Sequence, residues 1–261
     1  MKRYIKSYLI FTSFIYRIVM FIVLPIMLIA VLAFGGYMWS HWNSWLKETI
    51  YHANPWISES VAYLSMIIIP FLEILSDNWL FCGIQSKHAE KMDYLKTSSV
   101  GMPVLRKALR MDLIRRFVSS MVITFAAYVV LAFNDKTQVH NIASDLSILL
   151  IGCLAAYFLS MLGIVISRYG NMLWINLLVT YLMLILSIMG VHILMDISGS
   201  CFDNGASVYM AGADILSQDG RAMMFILLTV FLLFLLIIAD VAVSMLAVKK
   251  AMKKTEESYY D

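Results

Sequence analysis

Few residues in this chain have the type and spacing that chemistry requires. Glu73 and Asp77 stand four apart, so both carboxylates share one helix face; they fall within an apolar stretch, as does Asp240. A carboxylate facing lipid costs about 2.5–3.5 kcal/mol on insertion scales, so such residues turn toward a pore or a partner. Asp77, near the inner end of its stretch, can also reach water; Glu73 lies deeper, with Pro70 just before it as a source of a kink. Paired carboxylates could serve an intramembrane enzyme, but a metalloprotease needs a His-Glu-x-x-His helix, and none is present. His192 and Asp196 are also four apart, yet two ligands make no zinc site, and His41, His52, His88 and His140 are scattered. Cys82, Cys153 and Cys201 offer neither a disulfide framework nor a zinc spacing. There is no serine nucleophile elbow and no Gly-x-x-x-x-Gly-Lys-Ser/Thr phosphate loop. The residues therefore predict no active site, no metal and no cofactor bound by this chain. ATP-driven work would need a second polypeptide.

The elements that position these acids follow from composition. The chain has 261 residues, a net charge of +3, 61% hydrophobic and 14% charged residues, and a mean hydropathy of +0.81. A soluble domain carries about 25% charged residues to hydrate its surface. That excludes a soluble enzyme, a nucleic-acid binder and a disordered tail, and leaves an integral membrane protein. Continuous apolar runs, not alternating ones, predict an all-α polytopic fold with six spans: Ile18–Trp39, Val61–Phe81, Phe117–Phe133, Leu146–Ile166, Leu173–Met195 and Met223–Val248. The first run is too long for a signal peptide and has no small-residue cleavage site after it. With the N-terminus in the cytoplasm, all of the 20 Lys and Arg except Lys47, Lys136 and Arg221 fall inside. By the positive-inside rule both termini are cytoplasmic. The acids of the outer loops, such as Glu48, Asp135 and Asp203, read most simply as what remains once basic residues are placed inside.

The single membrane domain, 1–261, carries three informative segments between or before its spans. Residues 1–17 read as a helix lying in the membrane interface: Lys2, Lys6, Ser13 and Arg17 share one face, while Tyr4, Ile5, Tyr8, Leu9, Phe11 and Ile15 cover much of the rest. The inner segment 83–116 is far longer than a link requires. Its second half predicts a helix that extends the third span inward, with Gly101 and Pro103 at its start and Leu105, Leu109, Leu113 and Phe117 along one stripe. Asp112 is placed to pair with Arg115 or Arg116. Its first half, Lys91 to Ser99, sets Met92, Tyr94 and Leu95 among polar residues, which predicts docking onto a partner more than onto lipid head groups. The outer segment 196–220, rich in Gly, Ala and Ser, fits either a lid of small helices or a plain loop. The 19 Met residues are spread through most of the spans, as membrane helices tolerate freely.

Six spans, a basic surface helix, the stretch Asp77-Asn78-Trp79-Leu80-Phe81-Cys82-Gly83-Ile84 running into Met92-Asp93-Tyr94-Leu95-Lys96-Thr97-Ser98, and a small-residue loop before the last span resemble a type-two ABC (ATP-binding cassette) exporter permease. The resemblance covers essentially the whole chain and is nearest to small Gram-positive permeases that export amphipathic cytolytic peptides such as phenol-soluble modulins. It implies a multi-pass protein of the bacterial plasma membrane, a permease homodimer, and a separate nucleotide-binding ATPase holding ATP and Mg. Asp93, Tyr94, Leu95, Lys96, Thr97 and Ser98 would then couple to that ATPase, Glu73 and Asp77 would border the translocation path, and Ser198–Leu216 would form an outer gate. The competing expectations are a non-transporting immunity or sensor protein that binds a toxic peptide, and an intramembrane enzyme using Glu73 and Asp77.

Overall fold

The apolar runs become helices because a backbone without water must bond to itself. The computed structural model describes residues 2–35, 37, 57–85, 95, 97–134, 142–167, 178, 181–182, 185 and 218–260. No strand occurs among them. In chain order the helices are α1 (Lys2–Phe11), α2 (Phe14–Gly35), α3 (Ile57–Gln85), α4 (Gly101–Asn134), α5 (Ile142–Ser167) and α6 (Gln218–Tyr260). Among the described residues, four stretches are long and apolar enough to cross a bilayer: Phe14–Gly35, Ser60–Asp77, Gly101–Phe133 and Asp145–Ser167. This is the make-up of a membrane protein. The run Met223–Val248 is helical within α6. The expected span Leu173–Met195 lies, apart from four isolated positions, outside the described residues, as does the expected gate Ser198–Leu216.

Two boundaries differ from those expected. Residues 1–17 do not form one helix: α1 stops at Phe11 and α2 starts at Phe14. Ser13 has extended backbone and its Oγ accepts the Tyr16 N–H at 3.2 Å, while Thr12 Oγ1 donates back to the Tyr8 carbonyl at 2.8 Å. The Ser13 side chain thus takes up a backbone N–H that a continuous helix would pair, while the Tyr8 carbonyl keeps its bond from the Thr12 N–H at 3.1 Å. As expected, the third span is one helix with its inner extension, Gly101 to Asn134, about 50 Å long. Helix α6 runs on to Tyr260, past the expected end at Val248, through helix-forming Lys, Ala, Met and Glu with a Lys253–Glu257 pair at i,i+4.

Helix α2 carries a π turn at Val19–Val23. Its inward residues Tyr16, Met20, Leu28 and Leu32 lie at spacings that are multiples of four. On a regular helix each four-residue step drifts about 40°. An under-wound turn offsets part of that drift and keeps the stripe on the body.

Packing is closest between α3 and α5, where Gly152 lies against Ala62; a Cβ at 152 would sit 2.7 Å from the Ala62 Cβ and 3.0 Å from its Cα. Small residues there let the backbones approach. Polar clamps join helices at other levels. Asp145 accepts from Ser58 Oγ (2.6 Å) and Tyr128 Oη (2.7 Å), Thr124 Oγ1 donates to Ser65 Oγ (3.0 Å), and Tyr157 pairs with Ser244 at 2.8 Å. A separate apolar cluster, with Tyr8, Phe11, Tyr16, Met20, Leu105, Leu109 and Met252, gathers α1, α2, the start of α4 and the end of α6.

Candidate functional site

Helices α3 and α4 run into one another's charged residues at matching depth. Glu73 is 12 residues from the end of α3 and Arg115 is 14 residues from the start of α4. Antiparallel neighbours with those offsets meet side by side. The result is a buried network of three acids and two arginines: Glu73 and Asp77 from α3, and Asp112, Arg115 and Arg116 from α4.

Arg115 forks between helices. Its Nη2 lies 3.0 Å from Glu73 Oε2, its Nη1 3.4 Å from Glu73 Oε1, and its Nε 2.9 Å from Asp112 Oδ1. Arg116 reaches all three acids: Nη1 to Glu73 Oε2 at 2.6 Å, Nη2 to Asp77 Oδ1 at 3.0 Å, and Nε to Asp112 Oδ2 at 2.7 Å. Its Nη1 also donates to the Glu73 carbonyl at 2.8 Å, and Ser76 Oγ donates to Glu73 Oε2 at 3.1 Å. Arginine suits this place because its planar fork meets several carboxylate oxygens at once and stays charged when buried. With three acids and two bases the network is formally one negative charge in excess.

The surface helix touches the same network. Tyr8 Oη lies 3.5 Å from Asp112 Oδ1. Burial, and after it the Asp112 carboxylate, hold the Tyr8 phenol well above its ordinary value of 10, so it remains protonated and able to donate. Ser7, Tyr8 and Phe11 form the buried face of α1, while Arg3, Ile5, Lys6, Leu9 and Ile10 are exposed. One apolar face of α1 thus belongs to the protein body and another remains outside it.

Glu73 and Asp77 are brought together, as their spacing requires, and both are buried: Glu73 is 4% exposed and Asp77 1%. Their described partners are the α4 arginines. Asp112, expected to pair with Arg115 or Arg116, pairs with both, at i,i+3 and i,i+4. The links from those arginines across to α3 were not anticipated. A usable signal existed: two adjacent arginines, an equal distance along the next helix from two acids, across a single connection. Removing both arginines from the count of inward-facing basic residues leaves the strong charge asymmetry intact. No group of three metal-ligand residues occurs among the described residues. Glu73 and Asp112 each accept from both guanidinium groups.

Of the expected coupling residues, Asp93, Tyr94 and Lys96 lie outside the described residues. Leu95 is 2% exposed and seats in the apolar cluster of α1, α2, α4 and α6. Thr97 is exposed and Ser98 half-buried, and the Ser98 carbonyl accepts the Gly101 N–H at 3.0 Å to open α4.

No known protein-family model matches this chain, and searches of curated proteins and of solved structures return no match.

Proposed function

We propose that this chain is the transmembrane subunit of an ATP-driven exporter of the type-two ABC class, moving amphipathic or hydrophobic peptides out of a bacterial cell. It works as a six-span homodimer with both termini in the cytoplasm, and it takes its energy from a separate ATPase chain that binds ATP and Mg. The observation that carries this reading is the seat of Leu95. The segment Asp93–Ser98 is the part expected to meet the ATPase, and its Leu95 is embedded where α1, α2, α4 and α6 converge.

A pull on that segment therefore acts on four helices at once. From the cluster the force passes one turn along α4, from Leu109 to Asp112, and then through Arg115 and Arg116 to Glu73 and Asp77 on α3. Charged pairs in a low-dielectric interior resist separation, so α3 and α4 move together. Closure of the two ATPases would shift the dimer between states with different affinity for the peptide, which is all that vectorial release requires.

The reading is tested at Thr97, which is exposed beside the buried Leu95. Thr97→Cys in the full chain should form a crosslink to the ATPase, stronger in one nucleotide state than in the other. A residue at 97 that never crosslinks to a nucleotide-binding chain, while export proceeds, would overturn it.

A further inference from the structure

Five carboxylates are buried among the described residues: Glu73, Asp77, Asp112, Asp145 and Asp240. Four are held by arginines, a serine or a tyrosine. Asp240 is the exception. It is 5% exposed, and neither of its oxygens has a hydrogen-bond partner. A carboxylate so placed is costly unless something meets it, so an intramembrane acid of this kind marks a site.

Asp240 lies on the wall of a cleft of about 1180 Å³ between α4, α5 and α6. That is larger than most drug-sized pockets, which run to about 1,000 Å³. Around the acid the walls are apolar and aromatic, with Phe117, Met121, Leu154, Tyr157, Ile237 and Val241. Phe117 and Tyr157 meet edge to face with centroids 5.4 Å apart, and the Tyr157 hydroxyl is already bonded to Ser244, one turn from Asp240. The charged residues of its lining besides Asp240 are Arg106, Arg110, Lys249, Lys253 and Glu256. Asp240 is nine residues from Lys249, or about 14 Å along α6, too far for those cations to neutralise it by contact.

We propose that this cleft binds a lipophilic organic cation, its charge on Asp240 and its apolar body against Phe117, Tyr157 and the aliphatic walls. Charge complementarity selects the cation: among the described residues that line the cleft, the buried side chain without a hydrogen-bond partner is an acid, and aromatic faces add attraction for positive charge. A neutral amphiphile would leave Asp240 unmet, and an anionic one would be repelled by it. This site stands independently of the exporter reading, because binding needs neither nucleotide nor ATPase.

The test uses the full chain purified in detergent, with ethidium fluorescence as the readout and tetraphenylphosphonium as competitor. Saturable ethidium binding displaced by tetraphenylphosphonium is expected. Asp240→Asn should weaken it by at least about 30-fold, as expected when one partner of a buried charge pair is removed, and Asp240→Glu should restore most of it. Phe117→Leu, which keeps the acid, should weaken binding about fivefold. It also keeps the proposal testable should Asp240→Asn fail to give a monodisperse protein. Equal ethidium affinity in the wild type and Phe117→Leu, or in the wild type and folded Asp240→Asn, overturns the proposal. So does tighter binding of the anionic probe anilinonaphthalene sulfonate that depends on Arg106 and Arg110.

Discussion

Neutralising Arg116 and neutralising Asp77 should have very different costs, although the two side chains touch one another. Arg116 Nη2 and Asp77 Oδ1 are 3.0 Å apart, and both side chains are about 1% exposed. The five-residue network already holds one acid more than it has bases. Arg116→Gln leaves three acids to Arg115 alone and doubles the excess negative charge. It also removes the contacts that Glu73 and Asp112 make with Arg116 at 2.6 and 2.7 Å. Breaking a buried ion pair from one side costs about 3–5 kcal/mol, and this substitution breaks three at once, so the upper part of that range is expected. Asp77→Asn instead leaves, among these five side chains, two acids facing two arginines. Its amide oxygen can still accept from Arg116, and the expected cost is about 1 kcal/mol or less. The assay is reversible unfolding of the purified chain in mixed micelles, titrated with a denaturing detergent and followed by far-ultraviolet circular dichroism. A double-mutant cycle over Glu73 and Arg116 isolates their coupling. Equal destabilisation by Arg116→Gln and Asp77→Asn would refute the reasoning from net charge. Greater loss from Asp77→Asn would refute it more severely.

Other substitutions probe the remaining contacts. Gly152→Leu should cost at least about 1–3 kcal/mol, because even its Cβ would meet the Ala62 backbone at 3.0 Å; Ala62→Gly in the same chain should recover part of the loss in the same unfolding assay. Leu95→Ala should cost about 2–5 kcal/mol, as a buried leucine does, and should speed proteolysis of the segment before α4. Tyr8 gives a signed dependence on pH. Its phenol is held above 10 by burial and by Asp112 when folded, so the unfolded chain loses that proton first as pH rises. Stability contributed by Tyr8 is complete below pH 10 and falls above it, by up to about 1.4 kcal/mol per pH unit. Tyr8→Phe should make the alkaline loss shallower, and an unchanged slope would contradict the assignment.

Much of the architecture was legible because membrane helices obey few rules. A run of about 20 apolar residues must be helical, so α2, α3, α4 and α5 were placed within a few residues. The junction of the inner helix with the third span was readable from Pro103 and the leucine stripe, since nothing between Gly101 and Asn134 breaks a helix. Capping was less visible. The stop at Thr12–Ser13 depends on the short Ser13 side chain taking the Tyr16 N–H, a local choice that the amphipathic pattern around it conceals. Long-range pairing was the least visible. Asp112 to Arg115 is a one-turn relation and follows from spacing, whereas Arg116 to Glu73 spans 43 residues and follows only from the packing of two helices. Leu95 illustrates the same limit: its apolar character was plain, but the body of the protein and an outside partner are equally apolar destinations until the fold is known.

The most direct measurement is purification of the full chain from its own membranes under mild detergent, followed by mass spectrometry and ATP hydrolysis in reconstituted vesicles. A nucleotide-binding chain in equal amount, with hydrolysis stimulated by an amphipathic peptide and lost on Tyr94→Asp, is the predicted result. Peptide export by vesicles that contain this chain and no ATPase would contradict it.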